Sequence, residues 1–480
     1  RARYHRGRGP RPLAGRLGWV WRVGAGLWPP GRARHSLAGR AGRGHPLIGP
    51  RPWQPIAHVD LATVDIRPTW ESPWLQKRLA ADPAAENILN GYVADLSGLG
   101  FSASQQSVAV DVGRYPVARH QESRRLPAAS LTKVATTLAA LETYGTGHQF
   151  ETRIGWRGTI TNGTLQGDLI VQGAYDPLFV WEEGIILGNT LQQLGIQQVT
   201  GSLIVIDRFV MNFNTDPLAS GELLKQAMNS AAWGWEVDQQ YDNLPPGTSK
   251  PTLAIQGPVK LLSAAPVIDQ ASGWLVSHKS LPLAVILKAM NIYSNNVMAE
   301  MLANLSGGPA NVMKIAEQIG VTPGEISLIN GSGLGEDNQL SARAVIVLMQ
   351  AIQTRLQKDK LNFADLFPVS GADTGTLIDR TLPINASVKT GSLAVVSALA
   401  GAFPTEQKGI VWFAIINYGS GLDTLRARQD RLLAALEQQW GRAPQVPEQL
   451  KATLQFNQEP YRLGDPKRNE IIQSLSAQSQ

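Results

Sequence analysis

The chain has 480 residues, 43% of them hydrophobic, and no cysteine, so it can bury a large core and has no disulfide or thiol chemistry. Its net charge of +6 says little about partners, because twelve of the 44 Lys and Arg residues lie within residues 1–51, which contain no acidic residue. The remaining chain carries 32 basic and 38 acidic residues. Nothing here indicates a basic patch on the folded part, so no nucleic-acid partner is predicted, and no apolar run is long enough to span a bilayer.

The first segment, residues 1–52, is a basic head rich in Arg, Gly and Pro, without helix or strand periodicity. It is predicted to be a disordered arm, an Arg-rich leader of the transit type, or sequence upstream of the true start. The last interpretation is favoured because the first methionine is Met211. The apolar stretch from Leu17 to Trp28 is interrupted by Arg22 and three glycines, so no clear signal peptide is recognised.

The composition becomes typical of a folded domain from residue 66. Ser72 to Leu96 predicts one long helix or a helix pair. Alternation over residues 107–112 and 115–120 predicts a hairpin. Strands, turns and a Trp- and Pro-rich stretch predict a β-rich insert from 150 to about 260. The later predicted elements are helices at 281–290, 295–305, 311–319, 340–354 and 425–439, strands at 386–389, 394–403 and 409–418, and a polar tail from about 441.

The sequence Leu-Pro-Ala-Ala-Ser-Leu-Thr-Lys at residues 126–133 predicts the start of a helix that carries a nucleophile. Ser130 and Lys133 are three residues apart, so on a helix their side chains can meet. A serine hydroxyl needs a neighbour to take its proton, and a lysine can do so once burial or a second cation lowers its pKa. Alone, however, Ser-x-x-Lys occurs readily by chance, and an ordinary surface helix would be favoured.

Two further motifs favour a catalytic role for Ser130 and Lys133 over a chance occurrence. Ser294 and Asn296 form Ser-x-Asn at the junction of two predicted helices, where side chains can point into a cleft. Lys389, Thr390, Gly391 and Ser392 form Lys-Thr-Gly followed by a hydroxyl residue. Three motifs in this order resemble the signature of penicillin-binding proteins and serine β-lactamases.

The residues around the motifs indicate which family within this class the chain resembles. The loop Asn330–Gly335, the stretch Phe367–Gly371 with Gly375-Thr376-Leu377, the stretch Val388–Leu393 and the long insert are all similar to the type-4 D-alanyl-D-alanine carboxypeptidases, which are class C penicillin-binding proteins. The resemblance covers about residues 66–440. It implies an α/β (α+β) fold with a five-stranded antiparallel sheet flanked by helices, a helical subdomain and a β-rich insert. The expected divisions are 1–52 (head), 66–150 (first catalytic segment), 151–260 (insert), 261–440 (second catalytic segment) and 441–480 (polar tail).

The resemblance also implies an activity: hydrolysis of the terminal D-Ala-D-Ala bond of peptidoglycan stem peptides and of D-Ala cross-links, and acylation by β-lactams. Ser130 would form the acyl-enzyme, and Lys133 would take its proton while like-charge repulsion from Lys389 keeps it partly neutral. Ser294 would relay a proton to the leaving amine, and Asn296 would orient the substrate. The backbone N–H groups of Ser130 and Ser392 would form an oxyanion hole, and the substrate carboxylate would meet Lys389, Thr390 and Ser392 of the Lys-Thr-Gly-Ser segment that includes Gly391.

Two other functions remain open. A β-lactamase would need a group that activates water for attack on the acyl-enzyme, and no motif in the sequence identifies such a group. A non-catalytic penicillin-binding sensor or scaffold is disfavoured by the complete set of motifs. The scattered histidines predict neither a metal site nor a histidine-based triad, and no cofactor is expected. Asp176 before Pro177 is more simply a turn residue than a substrate contact. The family resemblance places the enzyme in the periplasm or cell envelope.

Overall fold

The computed structural model describes residues 82–473, so the basic head (1–52) and the predicted helix start at Ser72 lie outside the described residues. The helices are α1 (Pro83–Gly98), α2 (Thr132–Tyr144), α3 (Trp181–Gln193), α4 (Pro217–Ala227), α5 (Trp235–Tyr241), α6 (Ala264–Asp269), α7 (Leu283–Tyr293), α8 (Asn296–Leu305), α9 (Gly308–Ile319), α10 (Ala342–Gln357) and α11 (Leu422–Trp440). The strands are β1 (Gln106–Val112), β2 (Tyr115–His120), β3 (Leu126–Pro127), β4 (Glu151–Thr161), β5 (Thr164–Ala174), β6 (Gln198–Val199), β7 (Leu203–Arg208), β8 (Ala254–Ile255), β9 (Val259–Leu261), β10 (Gly273–Lys279), β11 (Ile326–Ser327), β12 (Gln339–Leu340), β13 (Ser387–Leu393), β14 (Val396–Thr405), β15 (Gly409–Tyr418) and β16 (Asn469–Ile471).

A five-stranded antiparallel sheet combines strands from the two catalytic segments in the order β13-β14-β15-β1-β2. Its strands alternate between two apolar sets because successive side chains point to opposite faces. In β14, Ala398 and Ala400 face one side, whereas Leu399 and Phe403 face the other. Both faces are therefore buried, and the small residues on the first face let helices pack closely against it.

Helices cover both faces of this sheet. On the large-residue face, α1 and α11 pack against each other and against the strands. The carboxylate of Asp82 caps α1 by accepting from the N–H groups of Ala84 and Ala85, and Pro83 occupies the first helical position. On the small-residue face, α2 is buried among α8, α9 and α10 and contributes Leu138 to the shared core. This helical group carries the first two motifs.

A second sheet is built by the inserted segment together with β16 from the C-terminal segment, and none of its strands belongs to the five-stranded sheet within residues 82–473. Its path is β16-β10-β4-β5-β6-β8, and β7 pairs with β5 and β9. The sheet runs past the predicted insert boundary at residue 260, through β10, and it carries the helices α3, α4 and α5 on its own core. The sequence does not predict α3, because Gly184 and Gly188 lower helix propensity. In the structure these glycines let the helix pack closely against Ala227 and Met228.

The expectation of a polar tail from residue 441 is wrong for the described part of that segment. Leu450, Leu454 and Leu463 are buried against the catalytic core, and β16 pairs with β10. The backbone is held too, because Asp365 Oδ1 accepts from the N–H of Leu454 at 2.7 Å. Isolated apolar anchors in a Gln- and Pro-rich segment give no periodic pattern, so the sequence carries no helix or strand signal there.

Candidate active site

The nucleophile candidate Ser130 lies on a tight turn between a strand and a helix. The strand β3 pairs with β12, a short 3₁₀ turn covers Ala129–Leu131, and α2 begins at Thr132. Ala129 has φ 48°, a left-handed conformation that costs a residue with a side chain about 1–3 kcal/mol. Gly333 packs onto this turn, where a Cβ atom would lie 1.8 Å from the carbonyl oxygen of Ala129. The surroundings therefore hold Ser130 in a strained position at the sheet edge.

The side chain of Lys133 points directly at Ser130. Its Nζ atom lies 2.9 Å from Ser130 Oγ, 2.8 Å from Asn296 Oδ1 and 2.8 Å from the carbonyl oxygen of Ser332. An ammonium has three N–H donors, so these three acceptors saturate it. The residue is fully buried. The geometry therefore fixes the amine against the hydroxyl of Ser130.

Burial lowers the pKa of Lys133 to about 7, because the charged ammonium loses its hydration. The carboxylate of Glu300 acts in the opposite direction and raises that pKa. At neutral pH a substantial fraction of Lys133 is therefore a neutral amine, the form that can accept a proton.

The Ser-x-Asn motif lies at the predicted helix junction. The helix α7 ends at Tyr293, and Ser294 follows in the left-handed conformation with φ 53°. The side chain of Asn295 then caps α8 by accepting from the N–H of Met298 at 3.0 Å, so Asn296 is the first residue of α8. This reversal aims Asn296 at Lys133 and brings the hydroxyl of Ser294 to the other side of the site.

The Lys-Thr-Gly motif lies on β13, the edge strand of the five-stranded sheet. The Nζ atom of Lys389 donates to Ser294 Oγ at 3.0 Å and to the carbonyl oxygen of Thr390 at 2.9 Å. Gly391 lies against the nucleophile turn, since a Cβ atom there would be 3.0 Å from the backbone nitrogen of Ser130. Thr390 and Ser392 alternate with these residues and therefore point to the opposite side of the strand.

Burial acts on the second lysine of the site as well. Burial holds the pKa of Lys389 well below its usual range, and the charge of Lys133 lowers it further. The interaction between the two charges is thus expressed in the pKa of Lys389. For Lys133 the cause that lowers the pKa is desolvation, and the effect of Lys389 on it stays a prediction.

Two residues that act on Lys133, Ser332 by direct contact and Glu300 by its charge, are not identified by the sequence motifs. Ser332 belongs to the glycine-rich loop, and its carbonyl is held in place because Glu300 accepts from the N–H groups of Gly331 and Ser332 at 2.9 and 3.0 Å. Glu300 lies four residues after Asn296 and so shares its helical face. This four-residue spacing from Asn296 is the sequence signal that could have identified Glu300. Only the folded structure shows that the glycine-rich loop lies against α8.

Two buried polar residues of the inserted sheet region, Asp176 and His278, lie outside the site. Asp176 is buried and accepts from the N–H of Leu178 at 2.8 Å, as a turn residue does, and burial raises its pKa to about 7. His278 is buried in the insert and its Nδ1 atom lies 2.7 Å from Asn469 Oδ1.

Two clefts flank the motifs. A cleft of about 820 Å³ borders Thr390 and Ser392 on the side of α11. A second cleft, of about 470 Å³, lies beside Ser294, between the insert and the catalytic helices, and its lining includes Tyr293 and Asn295.

An antiparallel sheet with a Ser-x-x-Lys pair at its edge, a Ser-x-Asn junction and a Lys-Thr-Gly edge strand defines the serine penicillin-recognising class of enzymes. The profile of the D-Ala-D-Ala carboxypeptidase 3 (S13) family matches residues 101–215 and 253–439, so the chain belongs to this family. It is accordingly a serine D-Ala-D-Ala carboxypeptidase, and the family predicted from the three motifs is confirmed.

Individual relatives agree with this assignment. The D-alanyl-D-alanine carboxypeptidase DacB of Haemophilus influenzae is 26% identical over 402 residues, which cover 64% of this chain and 83% of the relative. The crystal structure of penicillin binding protein 4 (dacB) from the same organism has a TM-score of 0.54 at 20% identity, covering 73% of this chain and 99% of that one. The penicillin G-acylated endopeptidase Bd3459 of Bdellovibrio bacteriovorus has a TM-score of 0.61 at 20% identity, covering 74% and 96%. The predicted fold class is thereby confirmed. Among residues 82–473, no helix has the length and apolar character needed to cross a membrane.

Proposed function

We propose that this carboxypeptidase cleaves the D-Ala-D-Ala terminus of peptidoglycan stem peptides, and D-Ala cross-links, through an acyl-enzyme on Ser130. The single observation that carries the assignment of the nucleophile is the 2.9 Å contact between Ser130 Oγ and the buried amine of Lys133. A serine hydroxyl becomes a nucleophile when a positioned base removes its proton. Lys133 has the position and, with a pKa lowered to about 7 by burial, the proton affinity for that role.

In the acylation step, Ser130 Oγ attacks the carbonyl carbon of the penultimate D-Ala. The Oγ–C bond forms, the C–N bond to the terminal D-Ala breaks, and the hydroxyl proton passes to Lys133. The proton then reaches the leaving amine through Ser294, whose hydroxyl is oriented by Lys389 at 3.0 Å. The developing oxyanion would be stabilised by the backbone N–H groups of Ser130 and Ser392, since Gly391 brings the edge strand against the nitrogen of Ser130. Water then releases the acyl group and restores the serine.

The edge position of β13 supports binding of an extended peptide, because an edge strand presents backbone groups to an added strand. Thr390 and Ser392 would meet the free carboxylate of the substrate, and Asn296 would orient its amide. A β-lactam presents a carboxylate and a strained amide in the same arrangement, and the related fold of Bd3459 is acylated by penicillin G. Such a substrate places the enzyme in the cell envelope, and we propose the periplasm.

The test is incubation with labelled penicillin, followed by mass mapping of the adduct and assay of D-Ala release from a stem peptide. An adduct on Ser130, with D-Ala released by the unsubstituted chain and neither event in Ser130→Ala, is the expected result. Undiminished labelling of the Ser130 variant would falsify the nucleophile. Rapid turnover of penicillin without D-Ala release would favour the β-lactamase alternative. Stable labelling without hydrolysis of either compound would favour a sensor or scaffold.

A further inference from the structure

We propose that Arg426 is a specificity-determining residue that, together with Ser392, binds the C-terminal carboxylate of the substrate. The inference rests on the proposed function, and it assigns a cation from α11 to the carboxylate position beside the edge strand. Arg426 lies outside all three sequence motifs.

The first support is a direct contact. Arg426 Nη2 lies 2.9 Å from Ser392 Oγ and donates to it. Both side chains border the cleft of about 820 Å³, which Thr390 also lines. A carboxylate accepting from the hydroxyls of Thr390 and Ser392 would therefore lie within reach of the guanidinium, whose planar donors match its two oxygens.

The second support is that two other cations near the cleft, Lys389 and Arg380, are committed elsewhere. Lys389 is fully buried and donates to Ser294 and to the backbone. Arg380, on the far wall, binds Asp430 through Nε at 3.0 Å and Nη2 at 2.6 Å. Neither presents a charge to Ser392. Arg426 does, because its side chain is 38% exposed and its second contact is with a solvent-exposed carboxylate.

That second contact, from Arg426 Nη1 to Asp423 Oδ1, is 3.6 Å long, and the Asp423 side chain is fully exposed. Exposed ion pairs of this kind contribute little to stability, so a substrate carboxylate can displace Asp423 at small cost. Asp423 would hold the guanidinium over Ser392 in the free enzyme and release it to the incoming substrate.

The test compares two matched pairs of ligands: an N-acylated peptide ending in D-Ala-D-Ala with its C-terminal amide, and benzylpenicillin with its methyl ester. In Arg426→Ala, kcat/KM for the free acid and the acylation rate with benzylpenicillin should fall by about 10- to 100-fold, as expected for a lost hydrogen bond to a charged group. The rates with the amide and the ester should stay unchanged. Arg426→Lys should restore part of the preference, because it keeps the charge but not the fork of donors.

Arg431→Ala is the matched control, since Arg431 lies on the same helix and lines the same cleft. It should keep the full preference for the carboxylate. Equal losses for charged and uncharged ligands in Arg426→Ala, or no loss with either, would overturn the proposal. If the unsubstituted chain hydrolyses neither peptide, the proposed function fails, and the penicillin pair decides the role of Arg426. If it forms no penicillin adduct either, both proposals are overturned.

Discussion

The Nζ atom of Lys133 lies 2.9 Å from the Oγ atom of Ser130, on a side chain that is completely buried. The same nitrogen is bound by Asn296 and by the carbonyl of Ser332 at 2.8 Å each, so the amine cannot turn away from the hydroxyl. Burial makes the amine of Lys133 a proton acceptor near neutral pH, and its hydrogen bonds orient this amine toward the hydroxyl of Ser130.

The rate of penicillin acylation should depend on pH through Lys133. Burial lowers the pKa of this amine to about 7, and only its neutral form accepts a proton, so the rate should rise up to about pH 7 and level off above it. Lys133→Ala should acylate about 10²–10⁴-fold more slowly and lose this dependence. Asp176→Asn is the control, because burial also raises the pKa of Asp176 to about 7 away from the motifs. A midpoint that moves in this control would contradict the assignment.

Replacing Lys389 with alanine should slow acylation without shifting the pH midpoint. The variant loses the donor that orients Ser294 at 3.0 Å, which should cost about 10- to 100-fold in rate. The midpoint should stay because desolvation is the cause that lowers the pKa of Lys133. The measurement is the acylation rate from pH 5 to pH 9. A midpoint that rises by a full unit would instead show that repulsion from Lys389 depresses the pKa of Lys133.

Replacing Glu300 with glutamine should shift the pH midpoint of penicillin acylation downward. The carboxylate of Glu300 raises the pKa of Lys133, so Glu300→Gln should lower that pKa and make the amine neutral at a lower pH. Glutamine keeps an oxygen that can accept one of the two N–H groups now bound, from Gly331 or Ser332. Glu317→Gln, on the exposed side of the next helix, is the control and should leave the profile unchanged. An upward shift would mean that loop disorder outweighs the lost charge.

The elements that could be predicted from sequence are those with local signals. Gly145 ends α2 as expected, and the hairpin of β1 and β2 falls where alternation places it. The motif residues were recognisable because their spacing encodes chemistry. Glu300 and Ser332 were not, because their importance arises only when a glycine-rich loop meets α8 in space. The segment after residue 441 was missed for a similar reason, since its few buried leucines are held by distant partners.

The close packing at Gly333 predicts a large loss of stability on substitution. A Cβ atom at this position would lie 1.8 Å from the carbonyl oxygen of Ala129, and φ is 83°, so Gly333→Ala has to displace the turn that carries Ser130. Thermal unfolding should occur at a lower temperature, and acylation should slow. Gly91→Ala is a matched control with the opposite sign. Gly91 lies within α1, and a Cβ atom added there would meet no other atom within 4 Å, so alanine should stabilise the fold by about 0.5–1 kcal/mol. An unchanged melting temperature in Gly333→Ala would show that the turn is not held by this contact.

The ion pair between Arg468 and Glu183 should be essential for attaching the C-terminal segment to the insert. The guanidinium lies 2.5 Å from the carboxylate, and the Glu183 side chain is only 2% exposed. Removing one partner of a buried pair leaves an uncompensated charge, so Arg468→Ala should destabilise the fold by about 3–5 kcal/mol in urea unfolding. Lys467→Ala, at the exposed neighbouring position, should change stability by less than about 0.5 kcal/mol. The double variant Arg468→Met with Glu183→Gln should recover much of the loss, because neither residue then carries a buried charge. A double variant no more stable than Arg468→Ala would mean that packing of the segment, rather than the charge on Glu183, sets the cost.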